Sequence, residues 1–445
     1  MTTKKLTDYI KQSISVQGTK KEEQPKPAQV RILFEKETEL KETPIGKIPK
    51  EWKMSALSQL ISYEKGKKPS ELFKEEKNRH LIPYLKAEYL RGLEPPAWCE
   101  PTDVNVLRVK KTDIIMIWDG SYSGEVFIGF EGALASTMIK IIPKESLVNN
   151  RYLYYWLKKY NQILHSTTVG TGIPHVNKKI FENLLIPIPP LMEQKVIAEI
   201  LSTVDSVIDR VRRLVERADK IKKGLMQELF TKGIGHKEYK ETPIGKIPKE
   251  WKFNKLGNIA EIIMGQSPPS STYNREGKGL PFLQGKMEFG RIYPSPTLYC
   301  SKPIKIAEPN DILISVRAPV GDVNIAPFKL CIGRGLAAIR FNPQKAIYWF
   351  YFYYLQKIKK FLENLSKGST FKAITKDDLE NLEIPVPPLS EQEIIAEILY
   401  TVDEYIRMLE ARLEHLEHVK KWLMDVLLTG KVRVIVEPSS GGSSG

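Results

Sequence analysis

The chain contains itself twice. Lys41 to Lys53 reads KETPIGKIPKEWK and Lys240 to Lys252 repeats it without a change, an offset of 240 minus 41, or 199. A second match follows 198 residues apart, where Ile186 to Asp205 (IPIPPLMEQKVIAEILSTVD) aligns with Ile384 to Asp403 (IPVPPLSEQEIIAEILYTVD). Self-similarity on this scale is the signature of repeated architecture, and it constrains the fold before any other feature does. A tandem duplication must build the same scaffold twice. At 445 residues the chain is also too long for one core, since length alone favours about three compact units.

Between the anchors the two copies keep a skeleton and change its decoration. Gly66 and Pro69 answer to Gly265 and Pro268, Pro83 to Lys86 answers to Pro281 to Gln284, Asp113 answers to Asp311, and Gly170 answers to Gly368. Each copy is thus a variable block of about 135 residues followed by a helical segment. In the first segment Ile197, Leu201, Val204, Ile208, Val211, Val215 and Ala218 step by four and three, and Ile395, Leu399, Val402, Ile406, Leu409, Leu413 and Leu416 do so in the second. That spacing is a heptad seam. Pro189-Pro190 and Pro387-Pro388 stand at the helix starts, and Glu193 and Glu391 fall in the first turns, where the dipole favours an acid.

A seam needs a partner. The expectation is an antiparallel intramolecular pair of helices, with packing onto the helix's own block or pairing between chains as the alternatives. Lys222 and Lys420 interrupt the seam at matching positions, either to fix register or to snorkel. Within the blocks, strand-like runs at Asp113 to Trp118, Met138 to Ile142 and Asp311 to Val316 alternate with turns and an aromatic-rich helix over Arg151 to Leu164. The fold class is therefore α+β, with two mixed α/β blocks joined by two long helices in an antiparallel coiled coil, pseudo-twofold. The divisions are a charged arm over 1–33 with a short helix near Asp8 to Ile14, blocks over 34–188 and 233–386, helices over 189–232 and 387–430, and a tail over 431–445 ending in a Ser/Gly linker.

Composition narrows the function. Basic residues exceed acidic ones, 68 against 53, for a net charge of +15, which favours a polyanion: nucleic acid first, an anionic membrane surface second. No apolar run is long enough to span a bilayer and no secretion signal is visible, so a cytoplasmic location is expected. Cys99, Cys300 and Cys331 are too few and scattered for a disulfide framework or a Cys-x-x-Cys metal site, and read as buried thiols. The P-loop, the zincin helix, the dinucleotide fingerprint and the Asp/Asn-Pro-Pro-Tyr/Phe grip of amino-methyltransferases are all missing. His415 and His418 stand one helical turn apart, but Arg217 and Lys220 replace them in the other copy, so they read as surface histidines and no metal is expected. Trp52 and Trp251 read as core aromatics anchoring each block.

The repeated Ile-Gly-x-Ile-Pro-x-x-Trp, the Pro-Pro-Leu-x-Glu-Gln-x-x-Ile-Ala-x-x-Leu opening of both helices and the Leu-Thr-Gly-Lys ending resemble one family: the specificity subunits of type I restriction-modification systems. The resemblance covers residues from about 40 to 435. It implies that the blocks are two target recognition domains, each reading one part of a split double-stranded DNA site. It implies too that the helices serve as spacer and as docking surface for methyltransferase subunits. The chain itself would be non-catalytic and bind no cofactor. S-adenosylmethionine, ATP and magnesium would reside on methyltransferase and restriction/translocase partners. A non-catalytic coiled-coil adaptor without sequence-specific DNA recognition is the competing reading.

Candidate DNA-reading residues lie in loops that match between copies but differ in chemistry. They are Lys67 and Lys68 against Gln266 and Ser267, Lys86 against Gln284, and Ser121, Tyr122 and Ser123 against Arg317. A late loop adds Thr171, His175, Asn177 and Lys178 against Ser369, Thr370, Lys372 and Thr375. Such side chains supply donors and acceptors for base edges or phosphates, although any single lysine among them is as readily a solvated surface charge.

Overall fold

The computed structural model describes residues 31–76, 80–170, 172–367 and 373–437. These divide into two compact units, the first made of 31–212 and 412–437 and the second of 213–411. Five helices organise them: α1 (Asn150–Ser166), α2 (Leu191–Lys232), α3 (Tyr348–Lys357), α4 (Lys359–Lys367) and α5 (Leu389–Leu428). Each unit holds one block, half of α2 and half of α5.

The duplication persists in the topology. In the first unit Ile61–Lys65, Met138–Pro143, Ile114–Ile117 and Val126–Phe127 form an antiparallel sheet, and the second unit repeats that order with Ala260–Met264, Leu336–Phe341, Ile312–Ser315 and Val323–Ile325. A second sheet follows in each, where Ile82–Leu85 runs parallel to Gly132–Leu134 and Leu280–Leu283 runs parallel to Leu330–Ile332. The runs at 114–117 and 312–314 are apolar at successive positions because both faces are covered. Ile114 and Met116 join the core against α1, while Ile115 and Ile117 join the core of the second sheet. Continuous burial explains the lack of polar alternation there.

Both long helices form as the heptads require. At 42 and 40 residues, each extends about 60 Å at 1.5 Å per residue. Ile197, Leu201, Ile208, Val211, Ile395, Leu399, Val402, Ile406 and Leu409 are buried, whereas Val204, Val215 and Leu413 are half-buried. In the first unit Asp205 meets Lys420 and Arg212 meets Glu417; in the second, Ala218 packs with Val402 and Ile406 while Lys222 meets Asp403 at 2.7 Å. Rising numbers on α2 meet falling numbers on α5 within each unit, so the pairing is antiparallel and intramolecular. Lys222 and Lys420 do not snorkel: each grips an aspartate on the opposite long helix, Asp403 and Asp205, and the two aspartates are repeat equivalents of one another.

The repeated helix opening ties helix to block. Trp52 and Trp251 are fully buried, and each donates its indole N–H to the first-turn glutamate, Trp52 to Glu193 at 3.2 Å and Trp251 to Glu391 at 2.9 Å. The next residue is a buried glutamine. Gln194 accepts from the Asn149 N–H at 2.7 Å and Gln392 from the Ile347 N–H at 2.9 Å, so each orders the start of the block's aromatic helix.

Two boundaries differ from the sequence expectation. Val432–Glu437, read above as part of a tail, is a strand paired antiparallel with Arg31–Lys36, which begins inside the expected arm. Both segments carry apolar residues between charged ones, but they lie at opposite ends of the sequence, and a pairing that remote leaves no local signal. The remainder of the arm, 1–30, and residues 438–445 lie outside the described residues. Among the described residues no helix is long and apolar enough to cross a membrane, and no cluster of His, Cys, Asp and Glu could hold a metal ion. All three cysteines are buried and free.

Candidate nucleic-acid interface

In the first unit, backbone contacts gather the candidate loops into one surface. Gly66 packs so closely on a neighbouring turn that a Cβ there would lie 2.3 Å from the Ala135 carbonyl oxygen. Only glycine permits that approach, and the Ala135 N–H in turn bonds the Leu85 carbonyl at 3.2 Å. Exposed Lys67, Lys68 and Lys86 therefore leave the scaffold from adjoining turns. Lys65 reaches Asp119 at 2.7 Å, and Asp119 forms a backbone bridge with His175, whose Nδ1 lies 3.7 Å from the carboxylate. The Val176 N–H donates to the Trp118 carbonyl at 3.0 Å and fixes this junction. Beside it, Arg91 stacks 3.5 Å over the Tyr122 ring and pairs with Glu125 at 3.2 Å.

The second unit builds the same junction from different side chains. The Ile374 N–H donates to the Val316 carbonyl at 2.9 Å, and Arg317 bridges Ala373 where Asp119 bridges His175. The turn Gly333-Arg334-Gly335 sits at the centre. Its Gly335 N–H bonds the Gln284 carbonyl at 3.2 Å, and the Arg334 N–H bonds Ser267 Oγ at 3.2 Å. Arg334, Arg317, Gln266 and Gln284 are exposed, and Ser267 is half-buried. Nearby, Asp322 pairs with Lys286 and, at 2.6 Å, with Lys359. Partial burial pushes its carboxyl up, but the two ammonium hydrogen bonds outweigh that and hold it below the usual range.

Three sequence-based candidates are corrected by these positions. Ser123 is fully buried, with its carbonyl 3.2 Å from His165 Nδ1, so it cannot present a hydroxyl to a ligand. Asn177 caps the short helix Lys178–Glu182, its Oδ1 accepting from the N–H groups of Lys179 and Ile180. Thr375, its repeat equivalent, caps Lys376–Glu380 in a reciprocal box with Asp378. Asx and hydroxyl side chains satisfy orphan helix donors better than most groups, which accounts for both residues without a ligand. Lys178 pairs with Glu182 at 3.7 Å on its exposed flank, and Ser121 is exposed. Thr171, Ser369, Thr370 and Lys372 lie outside the described residues. Gly170, beside Thr171, has φ +112°, a conformation glycine adopts without strain.

Arg334, Lys65, Asp119 and Arg91 join the surface without having been singled out in the sequence. For Arg334 a signal existed: Ala135-Ser136-Thr137 stands against Gly333-Arg334-Gly335 in repeat register, and both Ser136 and Arg334 are exposed. What arises is one scaffold position offering an acidic and imidazole pair in the first unit and guanidinium groups in the second.

The family model described as type I restriction modification DNA specificity domain matches residues 49–217 and again 248–418. The chain belongs to the type I restriction-modification specificity-subunit family. Each copy of the repeat is one match, and the two candidate surfaces fall one in each. Among specificity subunits of Methanocaldococcus jannaschii, the MjaVIII subunit is 37% identical, covering 91% of this chain and 98% of its own length. A protein of that organism assigned as the MjaX specificity subunit is 42% identical, with 91% and 99% covered. A solved chain from a study titled for complex assembly and conformational transition of the type I R-M system is 32% identical with a TM-score of 0.52, covering 86% of this chain and 99% of that one. The S subunit of M. genitalium, 17% identical, shares the fold with a TM-score of 0.61 over 84% of this chain and 96% of its own. Specificity subunits of this family are non-catalytic, and their function lies in DNA recognition within the restriction-modification complex.

Proposed function

We propose that this chain reads an asymmetric bipartite DNA target, one half-site per unit, and docks methyltransferase subunits through its repeated scaffold. The observation that carries this reading is the junction of the two loops. The same backbone bridge presents Asp119 with His175 in one unit and Arg317 with Ala373 in the other. An arginine aimed at a major-groove edge favours guanine, whereas an acidic group accepts from the cytosine amino group, so the two units would select different base pairs. The scaffold recurs because both copies would meet equivalent partners. Methyl transfer from S-adenosylmethionine, and ATP- and magnesium-dependent translocation and cleavage, would belong to methyltransferase and restriction/translocase subunits.

The test is exchange of residues 53–188 for the corresponding block of a relative, followed by a genome-wide map of methylated bases in cells carrying the methyltransferase. One half of the methylated motif should change and the other remain. Alteration of both halves would overturn the assignment of one half-site to each unit. An unchanged map on deletion of the gene, with the methyltransferase expressed, would favour the adaptor reading.

A finer prediction concerns the second unit. Arg317→Ala and Arg334→Ala should each lower affinity for the methylated motif by about 1–3 kcal/mol if they touch bases, and relax selectivity only in the half-site that exchange of the second block changes. A phosphate contact would instead weaken matched and scrambled DNA alike and flatten the salt dependence. Competition binding against both duplexes at two salt concentrations separates these outcomes.

A further inference from the structure

The second unit carries a groove of about 600 Å³ that the DNA-reading surface does not use. Ile244, Ile358, Phe361, Leu365 and Leu382 line it, and Phe361 is 53% exposed although it projects from a helix beside a packed core. Asp377 and Glu383 stand in the lining. Half-buried Lys357 also lines it, and burial without a carboxylate partner pushes its ammonium down to about 8. Its hydrogen bond goes to the Phe230 carbonyl at 3.4 Å.

The repeat shows that this groove is not a generic feature of the scaffold. Its equivalents in the first unit are Tyr160 for Ile358, Ile163 for Phe361, Thr167 for Leu365, Lys179 for Asp377 and Leu185 for Glu383. Lys159, the equivalent of Lys357, is neutralised by Asp425 at 2.8 Å, and glutamine (Gln227) stands where that aspartate would recur. A partner that binds both repeats alike would need matched chemistry. The acidic, apolar character belongs to one copy only, so its occupant should occur once per chain.

One segment meets that description. Residues 1–30 precede the first block, and no counterpart precedes the second, where the chain is already α2. Leu6, Tyr9, Ile10 and Ile14 fall at helical spacing, and Lys4, Lys5 and Lys11 flank that stripe on either side. Anchors so spaced are how an amphipathic helix lies in an apolar groove, and the lysines oppose the acids of the lining. Residues 15–30, which would tether that helix to the first block, can extend about 55 Å. We propose that residues 4–14 form a helix that docks in this groove, covering Phe361 and Leu365 and placing lysines against Asp377 and Glu383. The inference is independent of the DNA-reading proposal.

Hydrogen–deuterium exchange on the full-length protein tests it. Ile10→Asp should speed exchange at least about tenfold in peptides spanning 354–365 and 376–383, and Phe361→Asp should do the same for peptides within 4–14. Asp377→Lys with Glu383→Lys should also free the arm, and adding Lys4→Glu, Lys5→Glu and Lys11→Glu should restore its protection. Full retention of protection in Ile10→Asp would overturn the proposal. Protection that falls on dilution would overturn it too, in favour of a second copy as occupant. Unprotected peptides throughout the unmodified chain, becoming protected only when the methyltransferase is added, would assign the groove to that partner instead. Ile10→Asp should leave exchange in the strands of the blocks unchanged, which separates undocking from misfolding.

Discussion

Replacing Asp403 by alanine should destabilise the second unit by about 3–5 kcal/mol, because it strands a buried ammonium. Lys222 places its Nζ 2.8 and 2.7 Å from the two carboxylate oxygens, and the side chains are only 9% and 0% exposed. Its remaining neighbours are Gln356 Oε1 at 3.2 Å and the ring of Tyr353 at 4.9 Å. Burial lowers the pKa of Lys222 against the pull of Asp403, so the carboxylate is what keeps the charge tolerable. Arg291, 3.8 Å from Asp403 and bound to Asp219 and Glu410, would then face Lys222 with less negative charge between them. Lys222→Met combined with Asp403→Leu should recover most of the loss, since no charge is then left buried. The equivalent pair, Lys420 with Asp205, is 14% and 28% exposed, so Asp205→Ala should cost only about 1–2 kcal/mol. Urea titration read by hydrogen exchange in peptides of each unit gives both numbers. Equal costs at the two sites would show that burial does not set the value of the pair.

These pairs also show which parts of the molecule were legible beforehand. The heptads declared the helices because a helical period needs no tertiary context, whereas Trp52 was legible only as a core aromatic and Glu193 only as a first-turn acid, since the bonds that join Trp52 to Glu193 and Asn149 to Gln194 connect residues far apart in sequence. Lys222 was visible as a break in the seam, but its partner was not, since Asp403 lies 181 positions away. The candidate surface was partly legible. Matched glycines such as Gly66 and Gly265 marked loops that correspond between the copies, so the loops themselves were legible, although not that Gly66 packs on Ala135. Chemistry at the loop tips was not: Asn177 and Thr375 are helix caps, and only the placement of Lys178–Glu182 and Lys376–Glu380 distinguishes a cap from a free polar side chain. Arg334 was passed over because its importance comes from position, between Ser267 and Gln284, rather than from any motif.

The second large effect is expected at Glu193, where helix, block and closing strand meet. Its Oε1 accepts from Arg433 Nε at 2.8 Å and from the Val434 N–H at 3.2 Å, and its Oε2 accepts from Arg433 Nη2 at 3.0 Å and from Trp52 Nε1 at 3.2 Å. The carboxylate is 5% exposed and the guanidinium side chain 14%. Their hydrogen bonds hold the Arg433 pKa above its ordinary value, with further help from Glu37 and Glu51. Glu193→Ala should therefore cost about 3 kcal/mol or more: it orphans the Trp52 and Val434 donors and leaves Arg433 with only Glu37 at 3.0 Å and Glu51 at 3.3 Å. The damage should be directional. Val432–Glu437 is held by its pairing with Arg31–Lys36, by the packing of Val434 in the core and by the charged contacts centred on this carboxylate, so its amides should exchange faster in the variant than those of the Ile114–Ile117 strand. Glu391→Ala in the second unit makes the contrast. It orphans Ile234 N–H, His236 and Trp251, a comparable loss, yet the glutamate holds no closing strand, so exchange should rise around 234–251 and leave Val432–Glu437 protected. If Glu193→Ala left Val432–Glu437 as protected as before, the strand would be held by its backbone ladder and the packing of Val434, and the acidic residue of the repeated helix opening would serve Trp52 only.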